Sequence, residues 1–178
     1  MKSIITLALL LITLPSFSQS NRIYSVAVNG GGFFPVSEIN NISTGYNIGI
    51  DIESRKNNFG LFLGSKLNFL KYKYVINLFE NGYEPKNNTM TIGEITAGGR
   101  WYWGHPDKLN ANLDLGLGIY TGNYYQKPHW GIQPGIGGNV LLTKNLAANL
   151  NVKVNVIEVE DWETYAGIYL GLRYSFNK

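Results

Sequence analysis

From Ile23 onward, apolar and polar side chains alternate with a period of two in one segment after another. That period belongs to β-strands, whose successive side chains point to opposite faces. The last segment, Thr164 to Phe176, is the clearest. Ala166, Ile168, Leu170, Leu172, Tyr174 and Phe176 share one face; Tyr165, Gly167, Tyr169, Gly171, Arg173 and Ser175 share the other. The run is longer than the roughly five or six residues typical of strands in soluble proteins. It fits a strand tilted across a hydrocarbon layer, which needs about 9–11 residues.

Eight such segments are predicted: Ile23 to Phe34, Thr44 to Ser54, Phe59 to Tyr72, Met90 to Trp103, Ala111 to Thr121, Trp130 to Leu142, Leu146 to Val156, and Thr164 to Phe176. Two features disturb the pattern. Gly30-Gly31-Gly32 is a candidate bend in the first strand, and Pro134 has no N–H to give to a sheet ladder in the sixth. The connections alternate long and short, with short turns around Lys56-Asn57-Asn58, Gly104 to Asn110, and Thr143-Lys144-Asn145. An even number of strands with this alternation predicts an all-β fold, an eight-stranded antiparallel up-and-down transmembrane β-barrel. Its short turns would be periplasmic and its longer loops extracellular.

A soluble lipocalin-like barrel also has alternating strands, but turns its apolar face inward. Aromatic residues favour the opposite arrangement, because they gather near both strand ends, as two interfacial girdles would. Tyr24, Phe59, Trp101, Trp103, Tyr174 and Phe176 fall at the turn end. Phe33, Phe34, Tyr46, Phe69, Tyr72, Tyr124, Trp130 and Trp162 fall at the loop end. The mid-strand charges lie on the polar face: Asp51, Glu53, Lys66, Glu94, Arg100, Asp114, Lys153 and Arg173, four acids against four bases. A narrow lumen requires such balance, since an unpaired buried charge costs several kcal/mol. These eight residues are the candidate lumen charge network. An eight-stranded barrel is just wide enough for side chains to fill. With Phe62, Gln133, Lys153 and Arg173 pointing inward, a plugged lumen is expected, with some free space at the inward glycines.

The N-terminus adds a location. Lys2, the apolar run Ile4 to Leu14 and the small residues around Ser16 to Ser18 read as a secretory signal, cleaved after Ser18 or Gln19. Residues 1–19 would be the leader and 20–178 a single barrel domain. Without Lys2 the chain carries 14 Lys+Arg against 12 Asp+Glu. So mild a surplus offers no case for nucleic acid. The absence of cysteine excludes disulfides and thiolate chemistry.

Catalytic and metal-binding patterns are lacking. His105 sits in a turn and His129 in a loop, at opposite ends of the expected barrel, without metal-ligand spacing. His129 could be oriented by Glu158, Glu160, Asp161 or Glu163, but no serine lies beside it; Ser37 and Ser43 come from a distant part of the chain. Gly30-Gly31-Gly32 is followed by neither Lys-Ser/Thr nor a helix, so it is no phosphate loop. No cofactor, no metal and no catalytic residue is expected.

An alternating C-terminal strand with Tyr174 and Phe176 resembles the assembly signal of bacterial outer-membrane barrels, here followed by Asn177 and Lys178. The pattern of the whole mature chain resembles the small OmpA-like or porin-like barrels of Gram-negative bacteria. The leader ending Ser-Phe-Ser-Gln and the Asn/Lys/Ile-rich composition suggest a Bacteroidetes-type source. The resemblance implies residence in the outer membrane and contact with its lipids and lipopolysaccharide. It also implies engagement of the barrel-assembly machinery during insertion. The expected role is non-enzymatic, in envelope structure or in surface binding through Tyr72 to Thr89 and Gly122 to His129. The alternatives are a narrow-path transporter of small or apolar molecules, a lipid-modifying enzyme at the outer rim and, for a soluble protein, a lipocalin-like secreted binding barrel.

Overall fold

The computed structural model describes residues 22–36, 42–72, 89–104, 108–123, 125, 127–159 and 162–176. They form eight strands: β1 (Ile23–Pro35), β2 (Ile42–Lys56), β3 (Phe59–Tyr72), β4 (Thr89–Gly104), β5 (Leu109–Gly122), β6 (His129–Leu141), β7 (Leu146–Glu158) and β8 (Trp162–Ser175). Each pairs antiparallel with its sequence neighbours, and β1 closes on β8, so the sheet is a closed barrel with no free edge. The expected leader, residues 1–19, lies outside the described residues.

The strands are those the alternation predicts, extended by a residue or two at most ends. The candidate bend in β1 is absent. Its register with β2 and with β8 runs without a shift through Gly30, Gly31 and Gly32 to Phe33. The glycines serve close approach instead: a Cβ on Gly31 would lie 1.9 Å from the carbonyl oxygen of Ile168 on β8. Gly31→Val should therefore lower stability by about 1–3 kcal/mol, the usual effect of overpacking. A lower urea midpoint for the folded barrel would register it.

Pro134 is tolerated for a local reason. Toward β5 the register passes through Leu115↔Pro134, whereas toward β7 it skips Gln133 and Pro134 and resumes in phase at Gly135↔Lys153. One ladder therefore absorbs the missing N–H. The short turns use two positive-φ residues, Asn57 (φ 55°) and Gly104 (φ 99°), conformations that Asn and Gly adopt at least penalty.

Strand parity then sorts the side chains. Residues such as Ile48, Leu61, Leu115, Ile136, Leu150 and Leu170 stand on the outside, exposed. Their sequence neighbours face a lumen in which Asn, Gln, Asp, Glu, Lys and Arg are almost wholly buried. This is the inverse of a water-soluble barrel.

Candidate functional site

The exterior is a continuous apolar belt, and its most exposed members include the mid-strand leucines Leu115 at 62% and Leu117 at 66%. Aqueous proteins rarely expose more than a few hundred Å² of contiguous apolar surface. A closed barrel leaves no backbone group unpaired at its edge, which is the condition for contact with hydrocarbon. Aromatic side chains flank the belt. At the turn end Phe59 and Trp101 meet at 6.4 Å between ring centroids, and Tyr174 and Phe176 at 5.2 Å. At the loop end Tyr46 stacks on Phe69 at 4.9 Å, and Trp130 meets Trp162 edge-on at 5.8 Å.

Inside, all eight candidate lumen charges are buried, and the structure brings seven of them into one connected chain. Lys66 Nζ lies 2.6 Å from Glu94 Oε1. Glu94 also accepts from the Thr96 hydroxyl at 2.8 Å and from Gln133 Nε2 at 2.6 Å. Gln133 bridges onward, because its Oε1 accepts from Lys153 Nζ at 3.2 Å, and Lys153 lies 3.3 Å from Asp114. Arg100 grips Asp114 with two parallel bonds of 2.7 Å through Nε and Nη2, and reaches Glu53 with Nη1 at 2.7 Å. Glu53 accepts as well from Arg173 and from the Tyr102 hydroxyl. The eighth charge, Asp51, stands apart and accepts from Asn29 at 3.0 Å.

Aromatic rings complete the packing of these cations. Arg100 and Lys153 lie over the Phe62 ring at 5.0 and 4.7 Å, and Lys66 lies 5.1 Å from the Tyr169 ring centroid, distances at which the ring quadrupole attracts a cation. Neighbouring tyrosines fold over some of the inward glycines. A Cβ on Gly118 would meet the Tyr120 ring at 2.8 Å, and one on Gly167 the Tyr169 hydroxyl at 2.3 Å.

Sequence reasoning missed what stands above the charges. At the loop end the lumen holds a buried apolar cluster of Phe33, Leu70, Met90, Ile92, Tyr120, Tyr125, Ile157 and Tyr165. Phe33 corrects an expectation: it belongs to this interior cluster, not to the outer girdle, and stacks on Tyr165 at 5.2 Å and 11°. The reason is parity. An unbent β1 keeps Phe33 on the same side as Ala27 and Asn29, whatever its aromatic character. Glu163 crowns the cluster, accepting from the hydroxyls of Tyr125 at 3.0 Å and Tyr165 at 2.9 Å. At the turn end the lumen is polar and opens into a cavity of about 50 Å³ between Arg173, Glu53, Tyr102, Asn110 and Asn139.

The loop histidine, His129, sets Nδ1 2.7 Å from the carbonyl oxygen of Glu158 and its ring 5.0 Å from Tyr125. Ser43 is committed to the Lys71 carbonyl at 3.0 Å on the β2–β3 ladder, away from the β5–β7 wall that carries His129. Residues 73–88 of the proposed contact loop, Tyr124, Gln126, His105, Ser37, Glu160 and Asp161 lie outside the described residues. Tyr174 and Phe176, the resemblance's assembly signal, are exposed on the outer face at the turn end.

No protein-family model matches the chain, and no curated protein does. Solved structures do. Neisserial surface protein A aligns over 88% of this chain and 100% of its own, with a TM-score of 0.64 at 12% identity. Ail of Yersinia pestis, in complex with the heparin analogue sucrose octasulfate, aligns over 88% and 100%, with a TM-score of 0.53 at 13% identity. The N-terminal β-barrel domain of OprF from Pseudomonas aeruginosa aligns over 85% and 97%, with a TM-score of 0.50 at 18% identity. What the chain shares with all three is the fold, a closed eight-stranded antiparallel barrel.

Proposed function

We propose that this chain, whose fold is that of small outer-membrane barrels, is an integral outer-membrane protein with a plugged, charge-balanced lumen. It serves envelope structure or binds ligands at its surface, and it is not an enzyme. The observation that carries the reading is the pairing of an apolar exterior with an interior of buried, mutually bonded side chains. The ion network fills the middle of the lumen and the Phe33–Tyr165 cluster fills its loop end. In this reading the short turns face the periplasm, since barrels of this type place short turns there and longer loops outside. The belt contacts membrane lipid, and the long connections meet lipopolysaccharide and any external ligand.

Charge narrows the class of that ligand. The sequence between and beside the strands at the loop end holds seven acids, Glu38, Glu80, Glu84, Glu158, Glu160, Asp161 and Glu163, against Lys71, Lys73, Lys86 and Lys127. Ail was solved with a polyanion; a net acidic face suits instead a cationic or uncharged ligand.

Transport is the competing reading, and the cavity at the turn end is the observation in its favour. Planar-bilayer recording separates the two. A plugged barrel gives no sustained conductance steps at ordinary salt, whereas reproducible steps from the purified, heat-modifiable protein would replace the structural role by transport.

A further inference from the structure

The charges at the two ends of the barrel differ in sign. While the loop end is net acidic, the turn end is basic, with a base on every short turn. Each short turn contributes one exposed lysine: Lys56 between β2 and β3, Lys108 between β4 and β5, and Lys144 between β6 and β7. Arg22, just before β1, supplies a fourth base that leans toward β2, its Nη1 3.4 Å from Ser54 Oγ. In the sequence of these turns Asp107 is the sole acid.

We infer that this collar is a binding surface for anionic phospholipid headgroups in the leaflet that surrounds the turn end. The inference rests on the membrane reading above. Three observations select a lipid leaflet over an acidic protein. The bases recur on each of the three short turns instead of gathering on one side, as contact with a surrounding leaflet requires. They stand beside the outward aromatics that mark an interface, with Lys56 paired in register to Phe59 and Trp101 and Trp103 exposed on the adjoining stretch of β4. The opposite end has the opposite sign, so the collar is specific to one leaflet. A basic side chain near an anionic surface favours association about five-fold, and the effect fades within a Debye length.

Fluorescence quenching tests it. The four tryptophans are Trp101 and Trp103 at the turn end and Trp130 and Trp162 at the loop end. In a Trp130→Phe/Trp162→Phe background only the turn-end pair reports. The barrel is reconstituted in mixed phosphatidylglycerol–phosphatidylcholine vesicles in which one or the other lipid is brominated. The expected result is a local phosphatidylglycerol:phosphatidylcholine ratio about five-fold above the bulk ratio at low salt. That ratio falls toward unity at high salt, and also in Lys56→Gln/Lys108→Gln/Lys144→Gln. Equal quenching by both lipids in that background with the three lysines intact would overturn the inference, as would a preference that survives both high salt and the triple substitution. Equal quenching together with retention of the wild-type barrel on immobilised polyaspartate would assign the collar to an acidic partner instead. Absence of quenching by either lipid would be a different failure, since it would remove the barrel from the bilayer and with it the reading on which the collar rests.

Discussion

Lys66→Met is expected to lower the unfolding free energy by about 3–5 kcal/mol, and adding Glu94→Gln should restore most of that loss. Both side chains are almost completely buried, and Lys66 is the only cation within salt-bridge distance of Glu94 among the described residues. Removing the lysine leaves a carboxylate whose remaining partners, Thr96, Gln133 and Asn68, are neutral donors. Removing both charges leaves an amide that can still exchange hydrogen bonds with Gln133 and Thr96. Replacing a whole buried pair is often neutral, while breaking one is not. Urea unfolding of the reconstituted barrel, carried through the double-mutant cycle, gives the coupling directly. A single substitution that costs no more than a surface change would mean the lumen is wet enough to solvate Glu94.

The second large effect concerns the outer wall. Leu115→Arg should cost about 2–4 kcal/mol in a bilayer, and Leu109→Arg about 0–1 kcal/mol, because the penalty for a cation on the lipid face depends on depth. The two leucines lie on the same strand and are exposed to the same degree, 62% and 61%, so exposure alone predicts equal effects. Leu115 is mid-strand, between Gly99 and Pro134 on the neighbouring strands, whereas Leu109 opens β5 at the turn end. Unfolding measured in vesicles therefore distinguishes hydrocarbon from water around the barrel's waist. Equal and negligible costs would place water there.

The alternation of Leu113, Leu115, Leu117 and Ile119 with Asn112, Asp114, Gly116 and Gly118 was enough to read β5 and its two faces. The same parity placed all eight lumen charges inside. The apolar cluster was harder to read because it is built at strand ends. β7 continues two residues beyond the predicted Val156, and so carries Ile157 inward; β8 starts two residues before Thr164. Leu70, Met90, Ile92 and Tyr165 occupy inward positions that the parity of β3, β4 and β8 assigns, but their apolar character suits either face. Phe33 shows the same ambiguity, since three glycines remove the pattern on which its side could be judged. The bridging role of Gln133 was illegible for another reason. It depends on which strands meet across the lumen, and period-two patterning says only that a residue points inward.

Whether the apolar face meets lipid is decided by electrophoretic heat-modifiability of protein taken from washed outer membranes. Lipid contact gives residence in that fraction and a shift in migration between unheated and boiled samples, the behaviour of a detergent-resistant closed barrel. Recovery in the soluble periplasmic fraction without a shift would contradict it.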